Sequence, residues 1–234
     1  PNNPSGVVYR KDFIRDMVAF CEAENIHLIT DDIYHKLVFD GMEAPGAYQF
    51  TSLPIESSQL IVINGVSKSY GMTGFRIGWA IAPAELVTAM TKFQAQTTSS
   101  PPMVSQLAAE GALTGEQGVL EGLRLDMQNN RDVMLSELAA IEGVHVSPPA
   151  GTFYCLPDFS SIMEDSMTLA ELLLEKVRVV TVPGCAFGME GYLRLSFAGS
   201  MKEIREGMRR IRWAVDANGS HSIRIGDNHI KRDW

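Results

Sequence analysis

In the stretch Asn64-Gly65-Val66-Ser67-Lys68-Ser69-Tyr70-Gly71-Met72-Thr73-Gly74-Phe75-Arg76-Ile77-Gly78-Trp79, a lysine stands just past the apolar run Leu60-Ile61-Val62-Ile63. An arginine follows it eight residues further on. A lysine amine partly withdrawn from water at a strand end can attack a carbonyl carbon and hold it as a Schiff base. Arg76, set among glycines, suits a two-pronged contact to a phosphate or carboxylate. Gly71, Gly74 and Gly78 let the backbone come close to a bound group. A second short apolar run, residues 26–30, ends in Asp31-Asp32, with Tyr34 just beyond. Each residue also has an ordinary role. A lysine on a loop is usually solvated, an aspartate at a strand end often caps a turn, and a lone arginine often makes a weak surface ion pair.

The elements that must hold these groups follow from periodicity. Residues 11–24 place Phe13, Met17, Phe20 and Cys21, with Ile14 and Val18, on one helical face. The runs 26–30, 60–64 and 77–82 predict buried strands separated by helices or loops, hence a mostly parallel α/β sheet. In such sheets ligands collect outside the carboxyl ends of the strands, where Asp31 and Lys68 both fall. A helix from Pro83 to about Gln96 carries Leu86, Met90 and Phe93 inward, and Thr97-Thr98-Ser99-Ser100-Pro101-Pro102 breaks it. Leu120, Leu123, Met127, Met134, Leu138 and Ile141 predict one long amphipathic helix over 119–141, linking to a second domain. Thr168/Glu171 and Ser200/Glu203 read as capping boxes, and 177–182 and 192–197 as strands of a small α+β domain. The last residues show no periodicity and read as a loose extension.

Composition narrows the function classes. The 234 residues are 45% hydrophobic and 21% charged, a globular balance, and their formal net charge of −8 offers no basic stripe for nucleic acid. No apolar run reaches the roughly 18 residues a membrane helix needs. Cys21, Cys155 and Cys185 are odd in number and far apart, and read as reduced thiols in the cytoplasm. His27, His35 and His145 lie outside the motifs, read as surface or core residues, and imply no metal. The turn Pro1-Asn2-Asn3-Pro4-Ser5-Gly6 is expected to follow a strand, so the chain reads as one whose front is missing.

Gly65 to Gly78 resembles the pyridoxal-phosphate attachment motif of the class I/II aminotransferases, the aspartate aminotransferase superfamily. Pro1 to Gly6 is similar to that family's N-P-x-N-P-T-G turn, and Thr30-Asp31-Asp32-Ile33-Tyr34 to its D-E-x-Y, with aspartate in the second place. Tyr192-Leu193-Arg194-Leu195-Ser196-Phe197-Ala198 resembles the segment carrying the arginine for the substrate carboxylate. Pro148 to Tyr154 and Val182 to Gly188 resemble small-domain segments. The resemblance runs from residue 1 to about 217. It implies pyridoxal 5′-phosphate as cofactor, held covalently by Lys68, which then moves the proton between substrate and cofactor. It implies Asp31 on the ring nitrogen, Tyr34 and Asn3 on the 3-oxygen, Arg76 with Ser67 on the phosphate, and Arg194 on the substrate carboxylate.

The fold implied is a fold type I transferase. Residues 1–100 would form the later half of the large domain, 101–125 the connection, 126–217 the small domain and 218–234 a tail. The implied reaction moves an amino group between an L-amino acid and a 2-oxo acid. Gly71-Met72-Thr73-Gly74-Phe75 points to the branch of bacterial aspartate and aromatic enzymes. The same residues would serve a lyase, and the same fold a ligand-sensing domain of a transcription regulator. The resemblance further implies a homodimer, and about 150–170 residues upstream to complete the large domain, without which the chain is incomplete as an enzyme.

Overall fold

The computed structural model describes residues 1–216 and 218–234. The chain divides into two compact units. The first comprises Pro1 and Val8–Arg124, the second Asn2–Val7 and Leu125–Trp234.

In the first unit, helix α1 (Lys11–Ala23) precedes strand β1 (Leu28–Asp31), and β2 (Leu60–Gly65) and β3 (Gly78–Ile81) complete a sheet of order β1-β2-β3. β1 runs parallel to β2 with Leu28 opposite Leu60 and Asp31 opposite Ile63. β3 is antiparallel to β2, pairing Gly65 with Gly78. The sheet is therefore mixed where a mostly parallel one is expected. Residues 66–77 form a turn and one 3₁₀ turn without a crossover helix, so the chain can only come back antiparallel.

α1 buries Val18 and Cys21, and Val18 packs with Ala47, Leu60 and Val62, flanked by Ile14, Leu28 and Phe50. Phe13 and Phe20, expected inward, are half exposed. The buried stripe runs along Ile14, Val18 and Cys21 at helical spacing, and the two phenylalanines flank it.

Helices α2 (Ala84–Thr97) and α3 (Met103–Thr114) follow, broken where the prolines fall. The expected inward face of α2 is not buried: Phe93 is 73% exposed, Met90 is exposed and Leu86 only half-buried. Periodicity marks an apolar stripe and says nothing of what covers it.

Helix α4 (Gly118–Leu138) crosses from the first unit into the second. It ends before Ile141, which is buried in the turn beyond, so the expected extent of 119–141 is too long. Strands β4 (Tyr154–Cys155), β5 (Val182–Pro183) and β6 (Leu193–Ser196) form an antiparallel sheet of order β4-β6-β5. Helices α5 (Ser166–Val177) and α6 (Met201–Val215) pack on each other and bury Leu169, Leu173, Val177, Ile204, Met208 and Ile211.

The expected strand 177–182 shrinks to β5. Val177 ends α5, and Arg178 closes that helix with a φ of 57°. The expected box at Thr168 is also displaced. Asp165 caps α5, its Oδ1 accepting from the Met167 and Thr168 N–H groups at 3.0 Å, which places Thr168 inside the first turn. At α6 the box forms as read: Ser200 Oγ accepts from Glu203 N–H, and the Glu203 carboxylate accepts from Ser200 N–H.

Residues 2–7 join the second unit because Gly6 O accepts from the Ala150 and Gly151 N–H groups at 2.9 and 3.0 Å. The end of the chain is not a loose extension. Strands β7 (Ser222–Ile225) and β8 (Asn228–Lys231) form a hairpin around the two-residue turn Gly226-Asp227, where Gly226 has a φ of 59°. Ile223 and Ile225 are buried. The Arg232 guanidinium donates to Asp216 O and Trp213 O and lies 5.0 Å from the Trp213 ring, and Trp234 meets that ring edge-on at 5.4 Å. A two-residue alternation is too short for a periodicity test, yet burying two isoleucines and two tryptophan faces orders the segment. Ala217, the expected last residue of the small domain, lies outside the described residues.

Ser200→Ala removes the side-chain half of the α6 cap and should cost about 1 kcal/mol. Urea denaturation should show a lower midpoint at unchanged slope, and an unchanged midpoint would mean the box contributes nothing.

Candidate functional site

At the carboxyl end of β1 the ladder continues one step past Asp31, with Asp32 N–H donating to Ile63 O at 2.8 Å. The chain then turns, and Asp31 Oδ1 accepts from Ile33 N–H at 3.2 Å. Asp31 is exposed at this edge, and Tyr34 is buried in the turn. His35, half-buried, follows. Its N–H and its Nδ1 both approach Asp32 O, at 3.0 and 2.8 Å, and Asn64 Nδ2 lies 3.1 Å from the same Nδ1. Burial pushes the His35 imidazole below its ordinary range and the Asp32 carboxyl above its own.

Beyond β2 the loop 66–77 is closed by its own backbone. Gly71 N–H donates to Lys68 O at 3.1 Å, Met72 N–H to Val66 O at 3.3 Å and Val66 N–H to Ile77 O at 3.3 Å. Val66 and Ser69 are buried, so the loop is rooted in the core, while Ser67 and Lys68 are half-buried. Arg76 is exposed with a φ of 55°, a conformation costly for an L residue, and its Nη1 donates to Thr73 O at 2.9 Å.

The glycines divide by role. At Gly71 and Gly74 an added Cβ meets nothing within 4 Å, so the loop is open on that side. Gly78, expected to admit a ligand, admits a strand instead. A Cβ there would lie 2.9 Å from Asn64 O, and one on Gly65 would lie 2.7 Å from Ile77 O.

The second unit holds the other two residues. The turn at Asn2 to Val7 closes through Gly6 N–H donating to Asn2 O at 2.8 Å and Asn2 N–H to Val7 O at 2.9 Å. On β6, Arg194 Nη1 donates to Asn3 Oδ1 at 2.9 Å. Its guanidinium lies 4.3 Å from the Tyr154 ring centre and 5.2 Å from that of Phe187. Two rings and one amide hold the plane of the fork, the geometry a carboxylate requires.

A family model of the aminotransferases of class I and II matches this chain over residues 1–211. The chain belongs to that family. It is 37% identical over 216 residues to the aspartate aminotransferase of Bacillus sp. strain YM-2, covering 90% of this chain and 55% of the relative. It is 36% identical to a probable aspartate/prephenate aminotransferase of Rickettsia prowazekii, covering 93% and 57%. Among solved structures it superposes on the aspartate aminotransferase of Rhizobium meliloti with a TM-score of 0.85 at 34% identity, over 92% of this chain and 56% of that one. An aromatic aminotransferase of Pyrococcus horikoshii gives 0.84 at 30%, over 91% and 57%. The chain thus spans about half the length of the relatives it matches.

Of the residues singled out from sequence, Asp31, Tyr34, Ser67, Lys68 and Arg76 lie in the first unit, and Asn3 and Arg194 touch in the second. Sequence reasoning missed the His35–Asn64 contact and the ring pair around Arg194, because both join residues distant in the chain. Among the described residues no group of three His, Cys, Asp or Glu side chains could hold a metal ion, and no helix is long and apolar enough to cross a membrane.

Gly65→Ala should destabilise the protein by about 1–3 kcal/mol, since the new methyl group overpacks against Ile77 O and Gly78 Cα. A thermal melt unchanged from wild type would show that β2 and β3 can separate to admit it.

Proposed function

We propose that this chain is the part of a pyridoxal-phosphate-dependent aminotransferase that carries the reactive lysine, acting on an L-amino acid and a 2-oxo acid. One observation carries the reading: the β1–β2 register sets Asp31 opposite Ile63, so the carboxylate and the turn bearing Lys68 leave the sheet at the same carboxyl edge. The donor set there fits the cofactor. An amine and a guanidinium stand on a loop left open at Gly71 and Gly74, and a carboxylate ends the neighbouring strand β1.

When bound, pyridoxal phosphate supplies an electron sink for the charge left as the substrate Cα loses its proton. Lys68 Nζ would hold the cofactor and then take and return that proton. The Asp31 carboxylate would keep the ring nitrogen positively charged. The Tyr34 hydroxyl would donate to the ring 3-oxygen, and Arg76 with Ser67 would bind the phosphate. In the second unit, Arg194 would take the substrate carboxylate through a two-pronged bond. Asn3 orients that guanidinium.

The competent enzyme, in this reading, is a cytoplasmic homodimer of chains longer than these 234 residues. Two features support a larger species: the matched segment is only 55% of the first relative's length, and the outer strands of the three-stranded sheet leave Ile29 65% and Ile81 52% exposed.

Borohydride treatment of the cofactor-loaded protein should fix the cofactor on the peptide containing Lys68, seen by mass spectrometry. Labelling of another lysine would overturn the assignment. Arg194→Lys should raise KM for amino and oxo acids alike by at least tenfold, because an ammonium cannot make the two-pronged contact. Unchanged KM for both would move the carboxylate site elsewhere.

A further inference from the structure

Two contacts compete for one nitrogen, His35 Nδ1, at the edge of the sheet. Asn64 Oδ1 accepts from Gly65 N–H at 2.7 Å, so the amide atom 3.1 Å from His35 Nδ1 is Nδ2. Turning the carboxamide over would set two donors 2.7 Å apart. Nδ2 can only donate, so its contact needs a lone pair on His35 Nδ1. Asp32 O, 2.8 Å from the same Nδ1, can only accept, so that contact needs a proton there. One nitrogen cannot satisfy both, and the proton decides. With Nδ1 bare, the imidazole bonds across to β2. With Nδ1 protonated, it bonds back onto its own turn, where Asp32 O already takes the His35 N–H at 3.0 Å, and it repels the Asn64 amide.

The location gives this choice a consequence. The β1–β2 ladder ends at the Asp32 N–H bond to Ile63 O. Past it the two chains are joined through side chains, by His35 to Asn64 and by a long bond from Ser69 Oγ to Ile33 O at 3.5 Å. The turn on one side bears Asp31 and Tyr34, and the loop on the other bears Lys68.

We infer that His35 and Asn64 form a proton-operated clasp that ties the Asp31–Tyr34 turn to the end of β2 and so positions Asp31 relative to the Lys68 loop. His35 is a positioning residue in this role, which rests on the reading of that edge as the cofactor site. The neutral imidazole with its proton on Nε2 closes the clasp, and the imidazolium opens it.

The groups facing the ring set the direction. Burial is the largest influence and disfavours the charge. The hydrogen bond to Asp32 O and the Asp32 carboxyl favour it, and the Lys36 amine opposes it. Because the folded-state value is lowered, the unfolded chain takes up its proton first as pH falls. Stability should therefore begin to drop below the ordinary histidine value, about 6.5. The clasp opens lower still, as pH falls through the lowered value.

The spectroscopic and exchange tests use the full-length protein without added cofactor. Imidazole ¹⁵N NMR at about pH 7.5 should show His35 with Nδ1 bare and Nε2 protonated. In Asn64→Ala the proton should move to Nδ1 to meet Asp32 O. A wild-type Nδ1–H tautomer, or one indifferent to Asn64→Ala, overturns the clasp. Hydrogen exchange at the amides of residues 66–69, corrected for intrinsic rates, should quicken as pH falls through the His35 titration in wild type and not in His35→Gln. Equal pH dependence in both overturns it too. Asn64→Ala should also weaken binding of pyridoxal phosphate by about fivefold, the scale of one hydrogen bond, and unchanged affinity would overturn the positioning role. Should wild type fail to fix the cofactor on Lys68, the function proposed above falls, while the tautomer and exchange results still judge the clasp.

Discussion

Strand β2 is the constraint on which the first unit depends. It is hydrogen-bonded on both sides, parallel to β1 and antiparallel to β3, and Leu60, Ile61 and Val62 are all buried. Each such side chain is worth about 1.5–3 kcal/mol on burial. Leu60 and Val62 share the face packed on Val18 and Ala47, and a one-residue slip would put Ile61 in their place and turn both to the other face. The β1–β2 register sets Asp31 against Ile63 and starts the Lys68 loop at a defined height above the sheet. The β2–β3 pairing acts in the same way from the other side. Gly65 and Gly78 lie too close for any side chain, so the loop between them is pinned at both ends while Gly71 and Gly74 leave its outer side open.

The second unit solves a different problem, that of holding one half-buried cation in place. Arg194 lies on β6 between the buried side chains of Leu193 and Leu195, so strand alternation alone directs it outward. Tyr154, on the paired strand β4, and Phe187 supply aromatic surfaces, and Asn3 supplies an acceptor. A long side chain loses much rotamer freedom when it binds a ligand, and fixing it beforehand lowers that cost. The turn bearing Asn3 is itself held by Gly6 O, which accepts from Ala150 and Gly151. Beneath this surface, Arg131 is buried on α4, paired with Asp132 and donating to Pro149 O, so the segment that receives the turn is anchored from below.

The C-terminal hairpin shows how little sequence is needed to order a chain end once a surface exists to receive it. Trp213 on α6 presents a ring that Arg232 and Trp234 cover, and Lys176 on α5 pairs with Asp233 at 2.8 Å. The exposed ion pair contributes little by itself. The buried isoleucines and the aromatic contacts carry the docking.

The sequence determined those features that depend on neighbours along the chain. The order of types from Gly65 to Gly78, the aspartate at the end of an apolar run, the helix of residues 11–23, the Ser200–Glu203 cap and the family itself were all legible there. Local pattern encodes local structure. Tertiary structure alone decided which apolar faces found cover, so Val18 is buried while Phe93 on an equally apolar stripe is not. It also decided that Asp165 rather than Thr168 caps α5, that β3 returns antiparallel, and that Ile223 and Ile225 have a surface to bury against. The contacts of His35 with Asn64 and of Arg194 with Asn3 span 29 and 191 residues. No pattern along the chain specifies such pairs, because what joins them is the meeting of elements in space.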